Sequence, residues 1–308
     1  MKPPRIILLC ATQRGVAFVR RIFALCPEAE FIVCSFAETP WEPPFLATMK
    51  ELVEAAGHRL IVTRQVATAD LFRDGECDLL FAVSWRYLVP KEVYGRLRRG
   101  AFVFHDSLLP KYRGFAPTVW AMINGERETG VTLFEMAETV DSGRIVDQQA
   151  VPIGPEDYIG PVVGRVTEVY LQLLDRNLAP LLAGTTPLRV QDEAAATYTC
   201  KRSPEDGRIN WAASAAAIFN LIRASSTPYP GAFCQWEGKK LTVWTCDPPD
   251  VSRRYVGALP GRVVERVPGQ GVRVLANDCA LLIRQVQVEG GPVVPADQLL
   301  QGATLNLT

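Results

Sequence analysis

The stretch GAFVFHDSLLPKYRG, residues 100–114, runs apolar without a break and then turns polar at a histidine. A strand with one wet face alternates apolar and polar side chains. AFVFH (101–105) does not alternate, so both of its faces are covered, as in a parallel sheet lying between helices. Working outward, RIILLCA (5–11), FIVCSF (31–36), LIVTRQ (60–65) and LLFAVSW (79–85) are runs of the same kind. Residues 16–25 carry apolar positions at helical spacing, and 44–56 also read as helix. The alternation specifies an α/β fold with a doubly wound, mostly parallel sheet. Ligands of such sheets bind beyond the carboxyl ends of the strands, and His105 ends one.

Further along, 117–123 reads as a helix and TGVTLFEM (129–136) as a strand. A long helix follows over 161–182, where Val162, Val166, Val169 and Leu173 step by three and four and Gly184 supplies the stop. Residues 189–199 turn polar and alanine-rich, the pattern of a linker. Beyond them KLTVWTC (240–246), GRVVERV (261–267), GVRVLA (271–276) and ALLIRQVQV (280–288) are short strands parted by Gly, Pro and Asn turns. They predict a smaller β-rich, OB-like domain or barrel. The expected organisation is a first domain over 1–188, a linker over 189–204 and a second domain over 205–308. A length of 308 residues, long for one core, agrees with two domains.

Lys+Arg and Asp+Glu both number 33. A neutral chain lacks the field that draws a protein to nucleic acid or to an anionic membrane. No apolar run approaches 18 residues, and MKPPRIILLCA is too short for a signal segment. A cytoplasmic protein is expected. The eight cysteines form no CxxC, and with two histidines no zinc pattern can be built, so no metal site is expected. The cysteines read as reduced, buried and structural.

A histidine at a strand end can act as a general base near neutral pH if a partner holds it. Asp141, in ETVDSGRI, is the candidate partner. Two plainer alternatives stand beside that dyad: VDSG is a turn sequence, and a lone histidine often serves packing. Ser107 follows closely, but SLLP lacks the GxSxG elbow of a serine nucleophile.

The segment HDSLLPKYRGFAPTVWAMINGERETGVTLFEMAETVDSGRI resembles the core of the folate-dependent formyltransferase family, with H-x-SLLP-x-YRG, W-A-x-x-NGE, TGVT and D-x-G-x-I in order. RSPEDGRINW, LIRASSTPYPGAF and KLTVW are similar to the C-terminal region of the bacterial UDP-4-amino-4-deoxy-L-arabinose formyltransferase. Together these cover nearly the whole chain. The resemblance implies that a substrate amine attacks the formyl group of 10-formyltetrahydrofolate. It implies that His105 is the proton-transfer residue and that Asp141 assists it, since a carboxylate beside an imidazole favours its charged form. By the same resemblance the pterin lies against Tyr87, Leu88 and Val89 and against Ala137, Glu138, Thr139, Val140 and Asp141.

The sequence departs from the family at three places. The family carries Asn two residues before the histidine, where its amide donates to the oxyanion; here that residue is Val103. Loss of one such donor costs roughly 100- to 1,000-fold in rate. Asp106 follows the histidine where Pro or Gly is usual, and Phe115 stands where the arabinose enzyme has Arg. Three readings are open: an active enzyme with another donor in place of the Asn, use of a different one-carbon or acyl donor, or a binding protein that barely turns over. For the acceptor, a tRNA calls for a basic surface, and the only dense basic cluster is RLRR (96–99). The acidic, proline-rich loop AETPWEPPF (37–45) argues the same way. The expected acceptor is therefore the amine of a nucleotide-linked amino sugar. Trp41, Trp85 and Tyr229 are candidates to stack on a base or sugar, although most aromatic residues serve the core. A homodimer is compatible with this reading.

Overall fold

In this computed structural model, which describes residues 2–73, 75–257, 259–302 and 305–308, the apolar runs become strands of a seven-stranded sheet. Its parallel strands are β1 (Arg5–Cys10), β2 (Glu30–Ser35), β3 (Arg59–Val62), β4 (Leu79–Val83) and β5 (Gly100–His105). The two-residue β6 (Arg113–Gly114) stands apart, and β7 (Glu128–Glu135) and β8 (Ile145–Pro152) complete the sheet. The strand order is β3-β2-β1-β4-β5-β7-β8. The chain walks outward one way from β1 to β3 and the other way from β4 to β5. The reversal between β1 and β4 is the switch point at which such sheets open a crevice.

The helices of this part of the chain are α1 (Thr12–Leu25), α2 (Leu46–Ala55), the short α3 (Lys91–Tyr94), α4 (Pro117–Ile123) and α5 (Ile159–Ala183). Helix α1 buries Val16, Phe18, Val19 and Ile22. Phe18 meets Phe81 and Phe104 edge-on, with ring centroids 5.9 and 5.1 Å apart. On a separate cluster Ile7, Leu9, Ile32, Leu80, Ala82 and Ala101 are buried together. Helix α1 starts at Thr12, earlier than the periodicity suggests, because residues 12–15 carry no apolar stripe to mark it. Strand β3 ends at Val62, where Thr63 turns to exchange bonds with Gln65. Strand β8 is not visible in the sequence, since IVDQQAVP is mostly half-buried and shows no clean alternation. Gly184, with φ +70°, takes the left-handed conformation that stops α5, as its position predicts.

The chain groups into two units, one of residues 1–117, 129–151 and 164–200, the other of 118–128, 152–163 and 201–308. This is not the contiguous split that the sequence suggests. Residues 189–200 are not a loose tether. Arg189 exchanges backbone bonds with Ile145, and β9 (Tyr198–Thr199) pairs in parallel with β6. Their polar side chains, which read as a linker, are engaged with backbone and side chains of the first unit.

The second unit contains α6 (Ala215–Ser225), started by Ser214, whose hydroxyl accepts from the Ala217 N–H. Its six-stranded sheet runs β10 (Ala232–Trp236), β11 (Lys239–Cys246), β12 (Val263–Val267), β13 (Gly271–Leu275) and β14 (Ala280–Val288) in the order β10-β11-β14-β13-β12, with β15 (Val293–Pro295) on β14 and α7 (Ala296–Leu299) after it. Its strands pair antiparallel throughout. Residues 305–308 bridge the two ends of that path. Thr308 exchanges backbone bonds with Gln235, while Leu307 donates to Gly261 and Leu305 accepts from Val263. Seven of the eight cysteines are buried, and all eight are free thiols; Cys200 is the exception to the expected burial. It stands exposed in the polar stretch just after β9.

Candidate active site

The site is built on the loop that leaves β5. His105 is nearly buried, with 8% of its surface exposed. Its Nε2 lies 2.8 Å from the Tyr112 carbonyl oxygen. A carbonyl only accepts, so Nε2 carries the proton and Nδ1 is left to face elsewhere. What it faces is Asp141, whose Oδ2 lies 3.7 Å away. The ring also meets Phe134 edge-on, at 6.4 Å between centroids. The second histidine, His58, packs against Phe23 and Phe31.

Asp141 does not arrive as the neighbour of a parallel strand end. Strand β7 runs antiparallel to β5, pairing His105 with Thr132 and Phe102 with Glu135, so β7 ends beside the start of β5. The turn after it must carry Asp141 back towards His105. Asp141 adopts φ +54°, in the left-handed region that aspartate tolerates better than most residues. Its carboxylate accepts the Gly114 N–H at 2.8 Å. Tyr112 and Ala116 also have positive φ, 59° and 52°. Such conformations cost free energy and persist only where surroundings impose them.

The surroundings here are residues 191–199. The Tyr112 N–H donates to the Thr197 hydroxyl at 2.8 Å, the Arg113 N–H donates to the Thr197 carbonyl at 2.8 Å, and the Thr199 hydroxyl donates to the Arg113 carbonyl at 3.0 Å. Arg113 is 1% exposed. It donates to Gln191 Oε1 at 2.7 Å and to both Glu193 carboxylate oxygens at 2.7 and 2.8 Å. None of these partners was marked by the sequence; the only hint was an arginine held inside the YRG turn.

Asp106 is answered by a partner that sequence reading did not find. Arg14, in the first turn of α1, donates to both carboxylate oxygens at 2.7 Å, and the Tyr170 hydroxyl also bonds the carboxylate. Burial alone would push the Asp106 carboxyl up. The Arg14 charge and the Tyr170 hydroxyl outweigh it and hold the carboxyl below the ordinary aspartate range. Burial and the adjacent carboxylate push the Tyr170 phenol well above its own. Ser107 is spoken for as well, its hydroxyl donating to the Lys111 carbonyl at 2.7 Å.

Val103 is half-buried and packs against Leu109, Phe134 and Ile145. Two residues before His105 on one strand, it shares the face of the sheet that His105 uses. Of the residues expected to line a pterin, Val89 packs on the same core cluster as Val103, Trp85 and Met136. Tyr87 stacks edge-on against Phe36 and Trp85. Leu88 is 82% exposed and Val140 52%. Ala137 is half-buried, and Glu138 and Thr139 are exposed. Phe115, Trp41 and Tyr229 are exposed, whereas Trp85 is half-buried in the core cluster.

Comparison with known proteins gives the family of the chain. The Formyl transferase family profile matches residues 11–178, and the profile of the formyl transferase C-terminal domain matches 201–304. The chain belongs to the formyl transferase family. Among solved structures it is similar to HypX from Aquifex aeolicus in complex with tetrahydrofolic acid, at 20% identity and a TM-score of 0.65, over 97% of this chain and 47% of HypX. The chain therefore spans about half the length of that relative. It is also similar to the N-formyltransferase from Helicobacter canadensis in complex with folinic acid and dTDP-3-aminofucose, at 17% identity and a TM-score of 0.65, over 93% of this chain and all of that one. A third likeness is to methionyl-tRNA formyltransferase from Clostridium thermocellum, at 16% identity and a TM-score of 0.59, over 79% of this chain and 93% of that one.

Proposed function

We propose that this chain transfers a formyl group from 10-formyltetrahydrofolate to the amine of a nucleotide-linked amino sugar. The observation that carries the reading is the facing of His105 Nδ1 and the Asp141 carboxylate, 3.7 Å apart, in a family of formyl transferases. The folate, when bound, supplies a formyl carbon open to attack by an amine. Exposed Leu88 and Val140 offer apolar surface to a flat heteroaromatic ring, and Val89 and Met136 root their two loops in one cluster. That fits a pterin. His105 Nδ1 takes the proton that the amine loses and returns it to the folate nitrogen from which the formyl group departs, while Tyr112 holds the other nitrogen and fixes the ring. Asp141 balances the positive charge that the ring acquires. Val103 has no donor, so stabilisation of the oxyanion falls to another N–H.

The amino-sugar acceptor is supported by the balanced charge, 33 against 33, which gives a tRNA little to hold. The Helicobacter canadensis relative is in complex with a nucleotide-linked amino sugar, which points the same way. The first test is calorimetric binding of 5-formyltetrahydrofolate, a stable stand-in for the donor, followed by a turnover screen of amino-sugar nucleotides. Micromolar binding and turnover with at least one acceptor are expected. His105→Ala should keep folate binding and lose at least about 100-fold in turnover. Folded protein that ignores millimolar folate would mean a changed donor or a lost reaction.

A further inference from the structure

We infer that Gln191, in the stretch that reads as a linker, is a positioning residue for the His105–Asp141 pair. The inference rests on the reading of that pair as the working one. Gln191 is 5% exposed, and its side-chain amide is used in both senses. Its Oε1 accepts from buried Arg113, at 2.7 Å from one nitrogen and 3.2 Å from another. Its Nε2 donates to the Asp141 carbonyl at 2.8 Å and to the Gly143 carbonyl at 2.7 Å. One side chain thus ties the loop that contains Tyr112 and Arg113 to the turn that contains Asp141.

Each end of that tie reaches one nitrogen of the imidazole. Arg113 follows Tyr112, whose carbonyl holds Nε2. Asp141 faces Nδ1. Asp141 is in the left-handed region, where its turn needs an external hold, and the two carbonyl bonds from Gln191 supply one. Gly143 leaves no room for the turn to slide: a Cβ there would stand 1.6 Å from the Glu135 carbonyl oxygen. Glu193 takes part only through Arg113, and its side chain is 65% exposed.

The two senses of the amide can be separated. Gln191→Glu keeps an acceptor for Arg113 and removes the donor to Asp141 and Gly143. Glu193→Gln is the control, since it touches Arg113 alone. With only two histidines in the chain, the imidazole nitrogens of His105 are assignable by comparison with a His105→Asn spectrum. The readout is the nitrogen-15 spectrum of those nitrogens, which needs neither folate nor acceptor. In Gln191→Glu the Nδ1 resonance should move away from its wild-type position, while in Glu193→Gln it stays. Turnover should fall about 100-fold in Gln191→Glu, the usual result of a displacement near 1 Å, with little change in folate affinity. An Nδ1 resonance superimposable on wild type in folded Gln191→Glu overturns the inference, whatever the turnover. Should that variant not fold, the wild-type protein decides: the Gln191 side-chain amide protons should be protected from solvent exchange, and free exchange overturns the inference. A moved Nδ1 resonance in a protein that formylates no acceptor would leave the placement standing and count against the proposed function alone.

Discussion

At the residue scale, two departures beside His105 have different physics. Asp106 would be an expense if it stood alone, because a carboxylate taken out of water must find compensation. Arg14 and Tyr170 provide it. Asp106→Asn should therefore cost on the order of 3 kcal/mol at neutral pH, since it removes the carboxylate charge that both short Arg14 bonds meet. The sign of the pH dependence follows from the lowered carboxyl. The wild-type contribution is fully present above the unfolded value, about pH 4, and is lost as pH falls through the lower folded value. Chemical denaturation from pH 7 downward should show the gap between wild type and Asp106→Asn closing below about pH 4. A gap that is constant with pH would show that the pair is not the cause. Val103 is a different matter. It fills space against Leu109, Phe134 and Ile145, so an amide there meets apolar neighbours. Val103→Asn should lower stability by roughly 1–3 kcal/mol and leave turnover flat or reduced, as a site rebuilt around valine requires. A large rise in kcat would show instead that the natural sequence lacks a donor it could use.

At the scale of elements, the short pairing of β6 with β9 carries more than its length suggests. It places the Gly114 N–H on Asp141 and the Thr197 hydroxyl on Tyr112. Gly114 has φ +108°, and a Cβ there would stand 2.3 Å from the Thr199 carbonyl oxygen. Gly114→Ala must part the two strands. It should lower stability by at least about 1–2 kcal/mol, the cost of forcing a side chain into that conformation, and take turnover down with it. A thermal melt and an assay on the same sample check both. This pairing also marks the limit of what was legible. The five parallel strands could be read because their apolar runs need no partner to be recognised, and His105 could be placed because it ends one of them. Residues 189–200 could not, because their worth lies in single polar side chains that bond distant backbone, which leaves no period in the sequence. Arg14 and Asp106, 92 residues apart, are hidden for the same reason.

At the scale of the whole molecule, the interleaving of the two units makes a prediction about how the chain can be cut. The sequence invites a cut near residue 200, where the family profiles also part. The second unit, however, includes residues 118–128 and 152–163. From the latter, the Tyr158 hydroxyl exchanges bonds with the Cys246 N–H and carbonyl, both at 2.9 Å. Arg223, 3% exposed, donates to the carbonyls of Gly154 and Asp157 at 3.3 and 3.1 Å and to Asn220 at 2.9 Å. Burial pulls its guanidinium below the ordinary arginine range, against the opposing pull of Asp157 in the same segment. An excised fragment of residues 201–308 keeps the cation and loses both carbonyls, together with the Tyr158 bonds. Removing most of the bonds that hold a buried charge costs several kcal/mol, comparable with the whole stability of a domain of that size. The fragment should therefore melt without cooperativity, whereas the intact chain unfolds in a sharp transition. Arg223→Met within the fragment removes the stranded charge and should restore part of the cooperativity, although the Tyr158 bonds stay lost. A fragment that melts as sharply as the intact chain, with Arg223 present, would show that residues 152–163 are passengers on this unit and not part of its core.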